Sequence, residues 1–413
     1  MKKLQHIIMI ALILLGLVTP ALAQEQTDNF NVSAKHAIAI EATTGKVLYE
    51  KDATTPDGVA SMTKILTAYM VYKAVDQGKI TWDTEVDISD YPFNLTVDSE
   101  VSNVPLDSRK YTVKQLLDAT LISSANSAAI ALAEKISGSE SAFVDTMTAQ
   151  LKEWGITDAK LFNASGLNNK YLGDNRYPGS KADDENTMSA LDVAIIADHL
   201  IKDYPQVLEI TKQTETDFEG DNKLTTHNYM LEGQDNYREG VDGLKTGTTE
   251  LAGASFVAHA NENGMSLITV VMNADNGGED EAARFTATNE LLDYVTQNWK
   301  IKTLNTKGQI VKKNDIKVAD GDSQTISAKL ESDLTVVQKI NSKNDAVKIK
   351  AKTITAPIKK DDTIGTATFD DKDLVGTGYI SDPPQISVTA NQSIKKSFFL
   401  KVWWNHIVNF FTC

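Results

Sequence analysis

The chain has a single cysteine, Cys413, and it is the last residue. No internal disulfide can form, so the fold must rest on its apolar core. Basic charge is also scarce. The 41 Lys and Arg stand against 56 Asp and Glu, a formal net charge of −15. A surface of that sign repels polyphosphates and argues against a nucleic-acid partner. The 6 histidines are scattered and show no H-E-x-x-H or other metal-ligand spacing. Neither a metal nor any other cofactor is expected. No internal repeat or low-complexity tract occurs. What remains is a chain of 413 residues, 41% hydrophobic, with material for a large core and too long for one ordinary domain.

The two ends stand apart from the body. Lys2 and Lys3 precede a short apolar run, Ile7 to Val18, and then Ala21-Leu22-Ala23. Residues 1–23 read as a secretory signal peptide cut before Gln24. An uncleaved anchor is the alternative, although the run is short for a span. The expectation is an exported protein at the outer face of the cytoplasmic membrane or in the cell wall. At the other end, residues 391–413 include Phe399, Trp403, Ile407 and Phe410 at helical spacing, with Lys395, Lys396 and Lys401 near the start. That pattern predicts an amphipathic helix lying in a lipid interface. A helix docked on the protein's own core is the alternative.

Between the ends, hydrophobic periodicity divides the chain. Ala37–Glu41 and Lys46–Tyr49 flank a turn and predict a hairpin. Helical spacing follows from Ser61 to about Gln77. A capping box at Thr112-Val113-Lys114-Gln115 opens another helix, and further helices are predicted over 126–136, over 141–154 and from Ser189. Strands at 254–260 and 267–272 then surround the turn Asn261–Gly264, before a last helix at 281–299. Strands at both ends and helices between them predict one antiparallel sheet with helices packed on it, an α+β domain over 24–300. From Ile301 short alternating runs such as Val347–Lys352 predict a small all-β sandwich over 301–390.

Ser61-Met62-Thr63-Lys64 opens the first long helix. A hydroxyl and an amine three residues apart share one helical face. The free N–H groups of a first turn favour developing negative charge there. Lysine can serve as a base only when neutral, which burial or a second cation permits. The spacing alone is weak evidence, since Ser393-Ile394-Lys395-Lys396 repeats it in the tail. Two further motifs change the odds. Ser124-Ala125-Asn126 opens a small-residue helix, and Lys245-Thr246-Gly247-Thr248 lies on a predicted strand edge. S-x-x-K, S-x-N and K-T-G stand in that order within one predicted domain, as in penicillin-binding proteins and serine β-lactamases.

With these motifs, with Phe162-Asn163 and Ser165-Gly166-Leu167, and with the trailing β region and tail, the chain resembles the low-molecular-weight penicillin-binding proteins. More narrowly, it resembles the secreted D-alanyl-D-alanine carboxypeptidases. The resemblance implies a β-lactamase/transpeptidase-like fold and removal of the terminal D-alanine from peptidoglycan stem peptides. It implies that Ser61 attacks, Lys64 takes its proton and Ser124 relays a proton to the leaving amine. Asn126 is implied to hold the substrate backbone. Lys245 is implied to supply positive charge, polarising Ser124 and helping keep Lys64 neutral, and Thr246 and Thr248 to meet the terminal carboxylate. The N–H groups of Ser61 and Thr248 are implied to form the oxyanion hole. Arg284 is placed to help bind the carboxylate. β-Lactams are implied as inhibitors and a monomer is expected. Glu185 and Asn186, between Ser124 and Lys245, are adjacent and not at the E-x-x-x-N spacing of class A β-lactamases, so slow β-lactam hydrolysis is expected. A serine β-lactamase, an endopeptidase or transpeptidase, and a non-catalytic β-lactam-sensing or wall-binding protein are the alternatives.

Overall fold

The computed structural model describes residues 29–311, 315–351, 353–398 and 402. The expected signal peptide lies outside the described residues, as does the tail from residue 399 onward apart from Val402.

Strands β1 (Ala34–Glu41) and β2 (Lys46–Lys51) form the predicted hairpin. Strands β3 (Val241–Thr249), β4 (Gly253–Glu262) and β5 (Met265–Ala274) come from the far end of the same region. All five join one antiparallel sheet in the order β2-β1-β5-β4-β3. The two sequence ends meet where β1 pairs with β5, Ile38 opposite Val270. Strand β3, which carries Lys245, is left at an edge.

The longer helices of the region are α1 (Lys64–Asp76), α2 (Val113–Leu121), α3 (Asn126–Ser137), α4 (Glu140–Glu153), α5 (Ala190–Asp203) and α6 (Ala283–Asn298), with short ones at Asp90–Leu95 and Leu208–Thr211. The predicted capping box at Thr112 and Gln115 starts α2, and a second, Ser189 with Asp192, starts α5. Each such cap contributes about 1 kcal/mol. Successive residues of a strand face opposite ways. Accordingly Ile38, Ile40, Val257, Val270 and Met272 enter a core shared with α1 to α5. On the other face Phe256 and Tyr49 meet Phe285 and Tyr294 of α6 edge-on. Helix α1 is buried continuously from Lys64 to Tyr72. A helix enclosed on every side lies inside the core, and it carries its lysine in with it.

Strand begins at Trp299, where helix was expected to continue. Trp299 is buried, and the Lys46 ammonium lies 4.7 Å from its ring. From there on the chain is β. Strand Trp299–Asn305 pairs with Leu334–Lys339, and three- and four-stranded sheets share a core that includes Ile316, Leu330, Val336 and Val388. Lys46 of β2 is fully buried against this part, 2.7 Å from Asp371 and 2.9 Å from the Val337 carbonyl.

Residues 391–398 were expected to begin a helix. They are instead extended along the β domain. Ile394 bridges Ile358, Lys396 bridges Gly321, and the Ser397 N–H donates to the Asp320 carbonyl at 2.7 Å. Ile394 is the one apolar residue among polar neighbours in 391–397. It enters the β core, which a strand allows without burying the lysines beside it. No helix among the described residues is long and apolar enough to cross a membrane.

Candidate active site

Ser61 lies on a short 3-10 turn, Ala60–Thr63, which runs directly into α1. The sequence places Ser61 on the α-helix itself, and the difference is useful. In a 3-10 turn residues i and i+3 eclipse each other. Ser61 Oγ therefore stands over Lys64, 2.7 Å from Nζ. Ala60, just before Ser61, has φ +44°, and Ser124 across the cleft has φ +57°. Such left-handed geometry costs a non-glycine residue about 1–3 kcal/mol and persists only where the surroundings enforce it.

Lys64 is fully buried and has two further partners. Asn126 Oδ1 and the Ser165 carbonyl each lie 2.7 Å from its Nζ. Both can only accept. A neutral amine has two N–H groups and one lone pair. Spending the N–H groups on these acceptors leaves the lone pair facing the Ser61 hydroxyl. Burial holds the Lys64 amine well below the usual lysine range, and the Lys245 charge adds in the same sense. An amine so placed can, when neutral, take a proton from that one hydroxyl.

Asn126, at the start of α3, donates from Nδ2 to the Ser102 carbonyl at 2.8 Å. Its side chain is thus held at both ends, by Lys64 and by Ser102. The Ser124 hydroxyl has no hydrogen-bond partner among the described residues. Lys245, also buried, donates to the Thr246 carbonyl at 3.1 Å, and no hydrogen bond joins it to Ser124. Burial and the nearby Arg284 charge push Lys245 down to about 7.

Edge strand β3 packs hard against the Ser61 turn. A Cβ on Gly247 would lie 2.8 Å from the Val59 carbonyl. Arg284, at the start of α6, is buried and donates to the Gly247 and Ser255 carbonyls. It also donates to Thr248 Oγ1 at 2.8 Å and to the Glu281 carboxylate at 3.0 Å. Ser61, Ser124, His227, Thr246, Thr248 and Arg284 line one cleft of about 330 Å³. A second hollow of about 210 Å³ shares Ser61 and runs past Asn126, Leu167 and Glu185. The Glu185 carboxylate is held there by Asn168 and Thr249.

The sequence reading noted residues 162–167 as a resemblance but assigned them no geometry. Here they form the strut under Lys64. A Cβ on Gly166, φ +83°, would fall 1.8 Å from the Ala60 carbonyl, so only glycine allows the close approach. Asn186 accepts from the Phe162 and Asn163 N–H groups and donates to Thr63 Oγ1. The signal that could have found the strut is Asn163, Ser165 and Gly166 in a stretch with neither helical nor strand periodicity. A loop of that kind, if buried, must be capped by side chains.

Over residues 22–276 the chain matches the family described as D-alanyl-D-alanine carboxypeptidase. Over residues 299–396 it matches the family described as Penicillin-binding protein 5, C-terminal domain. It is 31% identical over 411 residues to the D-alanyl-D-alanine carboxypeptidase DacF of Bacillus subtilis, covering 97% of this chain and 96% of that one. Among solved structures it is similar to a peptidoglycan synthesis regulatory factor (PBP3) of Streptococcus pneumoniae. The identity is 51% and the TM-score 0.80, over 89% of this chain and 100% of that one. Penicillin-Binding Protein D2 of Listeria monocytogenes, solved with ampicillin bound, is 28% identical with a TM-score of 0.54, over 65% of this chain and 98% of that one. Matched along nearly its whole length by proteins of one kind, the chain belongs to the D-alanyl-D-alanine carboxypeptidase family.

Proposed function

We propose that the chain removes the terminal D-alanine from peptidoglycan pentapeptide stems through an acyl-enzyme on Ser61. Lys64 takes the Ser61 proton as Oγ attacks the carbonyl between the last two D-alanines. The N–H groups of Ser61 and Thr248 hold the oxyanion, preset where charge develops. As the C–N bond breaks, the departing amine takes up a proton passed from Lys64 by way of Ser124. Water then attacks the ester, with Lys64 again the base. The terminal carboxylate lies against Thr246, Thr248 and Arg284, with the Lys245 charge behind them, and the peptide extends along the edge of β3. The observation that carries the reading is the Lys64 amine, buried and 2.7 Å from each of the Ser61 hydroxyl, Asn126 Oδ1 and the Ser165 carbonyl. β-Lactams acylate the same hydroxyl and leave slowly.

Export through residues 1–23 and interfacial attachment through the tail belong to the same reading. The described extension of 391–398 supports a revised start for the anchor, after Phe398. A chain ending at 398 is expected to lose vesicle binding and keep activity.

The deciding experiment compares wild type with Ser61→Ala, using a fluorescent penicillin and a peptide ending in D-Ala-D-Ala. The expected result is labelling and D-alanine release by wild type alone. Release by the variant removes Ser61 from the chemistry. Fast penicillin turnover without a lasting adduct moves the reading to a β-lactamase.

A further inference from the structure

One buried acid has no place in the mechanism above. Glu140, the first residue of α4, is 6% exposed. No cation pairs with it among the described residues. Its Oε1 accepts from the Ala164 N–H at 2.9 Å and its Oε2 from the Tyr91 hydroxyl at 2.7 Å. A carboxyl placed away from water without a counter-ion is an expensive way to cap one amide. The identity of that amide matters.

Ala164 sits in the strut beneath Lys64. The Phe162 and Asn163 N–H groups go to Asn186 Oδ1. Those of Ser165 and Gly166 go to Asn163 Oδ1, and that of Leu167 to Ser165 Oγ. The Ala164 N–H goes to Glu140. Every amide from 162 to 167 is therefore bonded by a side chain, and Glu140 is the only one of these acceptors supplied by α4. On the other side of the strut, the Ala164 carbonyl accepts from Thr67 Oγ1 at 2.6 Å and the Ser165 carbonyl from Lys64 Nζ at 2.7 Å. These two acceptors meet α1 about one turn apart. Thr67 and Lys64 pull the strut towards α1, and Glu140 holds it from the opposite helix.

We propose that Glu140 is a positioning residue for acylation: by accepting the Ala164 N–H it holds the Ser165 carbonyl where it takes one N–H of Lys64, so that the amine's lone pair stays on Ser61. Glu140 acts through the strut and touches neither substrate nor nucleophile. Its bond to Tyr91 ties the same carboxyl to the helix Asp90–Leu95, outside the α1–α4 group. The inference rests on Lys64 being the base for Ser61.

The test measures acylation of the full chain by a fluorescent penicillin, separating the limiting rate k2 from the pre-acylation dissociation constant. Glu140→Leu keeps the bulk and removes the acceptor. Glu140→Gln keeps an amide oxygen for Ala164 and a donor for Tyr91. The expected result is a fall in k2 of about ten- to a hundredfold in the leucine variant. Its dissociation constant is expected to stay within about twofold, and the glutamine variant to restore k2 to within about threefold of wild type. Three results overturn the proposal: wild-type k2 in the leucine variant, a glutamine variant as slow as leucine, or a loss confined to the dissociation constant. Should the leucine variant fail to fold, Glu140→Asp, whose carboxylate stops one methylene short of Ala164, takes its place under the same expectations. If wild type itself is not labelled, the fault lies with Ser61 and Lys64, and the proposal falls with them.

Discussion

The chain contains the pattern S-x-x-K twice, at Ser61–Lys64 and at Ser393–Lys396. At the first site a 3-10 turn enters a buried helix, and the amine lies 2.7 Å from the hydroxyl. At the second the backbone is extended and Lys396 is exposed. Residues three apart on an extended chain point to opposite faces, roughly 10 Å from each other. Ser393 Oγ accepts instead from the Lys360 N–H at 2.9 Å. The difference teaches that spacing in the motif has chemical meaning only once a helical turn superposes the two side chains and burial lowers the pKa of the amine.

The largest effect that can break this comparison is on the base. Lys64→Ala is expected to slow penicillin acylation by about 10²–10⁴-fold, the usual contribution of a positioned base. Lys396→Ala is expected to leave it unchanged. Lys64→Arg should be as inert as alanine, because a guanidinium does not give up its proton. Stopped-flow labelling measures all three, and a fast Lys64→Ala variant ends the contrast.

A smaller effect sharpens the electrostatic half. On the proposed mechanism Lys64 works as a base above its own pKa and loses that role as pH falls through it. Lys245 holds that value down by repelling the protonated amine. Lys245→Ala removes the repulsion, so the acid limb of the acylation profile should move to higher pH, with a rate loss of about 10²-fold. In wild type Lys245 itself gives up its charge as pH rises through about 7. KM for a D-Ala-D-Ala peptide should therefore climb above that pH, and the climb should vanish in Lys245→Arg. A pH series of acylation rate and KM checks both signs.

The smallest effect on activity, and the clearest on stability, belongs to the second site. Ile394 is 2% exposed in the β core. Ile394→Ala should lower stability by about 2–5 kcal/mol, against about ±0.5 kcal/mol for its exposed neighbour Lys395→Ala. Acylation by the folded protein should stay within about twofold of wild type. A chain ending at 391 should unfold earlier on heating than one ending at 398.

Much of the molecule was legible beforehand. The hairpin, the Thr112 box and the change to strand near residue 300 follow from local periodicity and capping, which need only neighbours in sequence. Ser61, Lys64, Ser124, Asn126 and Lys245 were legible because each lies in a short contiguous motif. Arg284 was chosen for its charge, and the structure brings it onto Thr248 at 2.8 Å. Glu140, Asn186 and Ser102 were not legible. Glu140 and Asn186 act on backbone amides and Ser102 acts through its own carbonyl, groups every residue possesses, so nothing in their own identity distinguishes them.

By itself the amino-acid order determined which functional groups the chain owns, and along which stretches a helix or a strand can form. Tertiary structure decided what those groups are. One lysine is buried 2.7 Å from a serine hydroxyl and the other lies exposed, because burial and hydrogen-bond partners depend on atoms brought together from distant parts of the chain. No run of neighbouring residues can supply either.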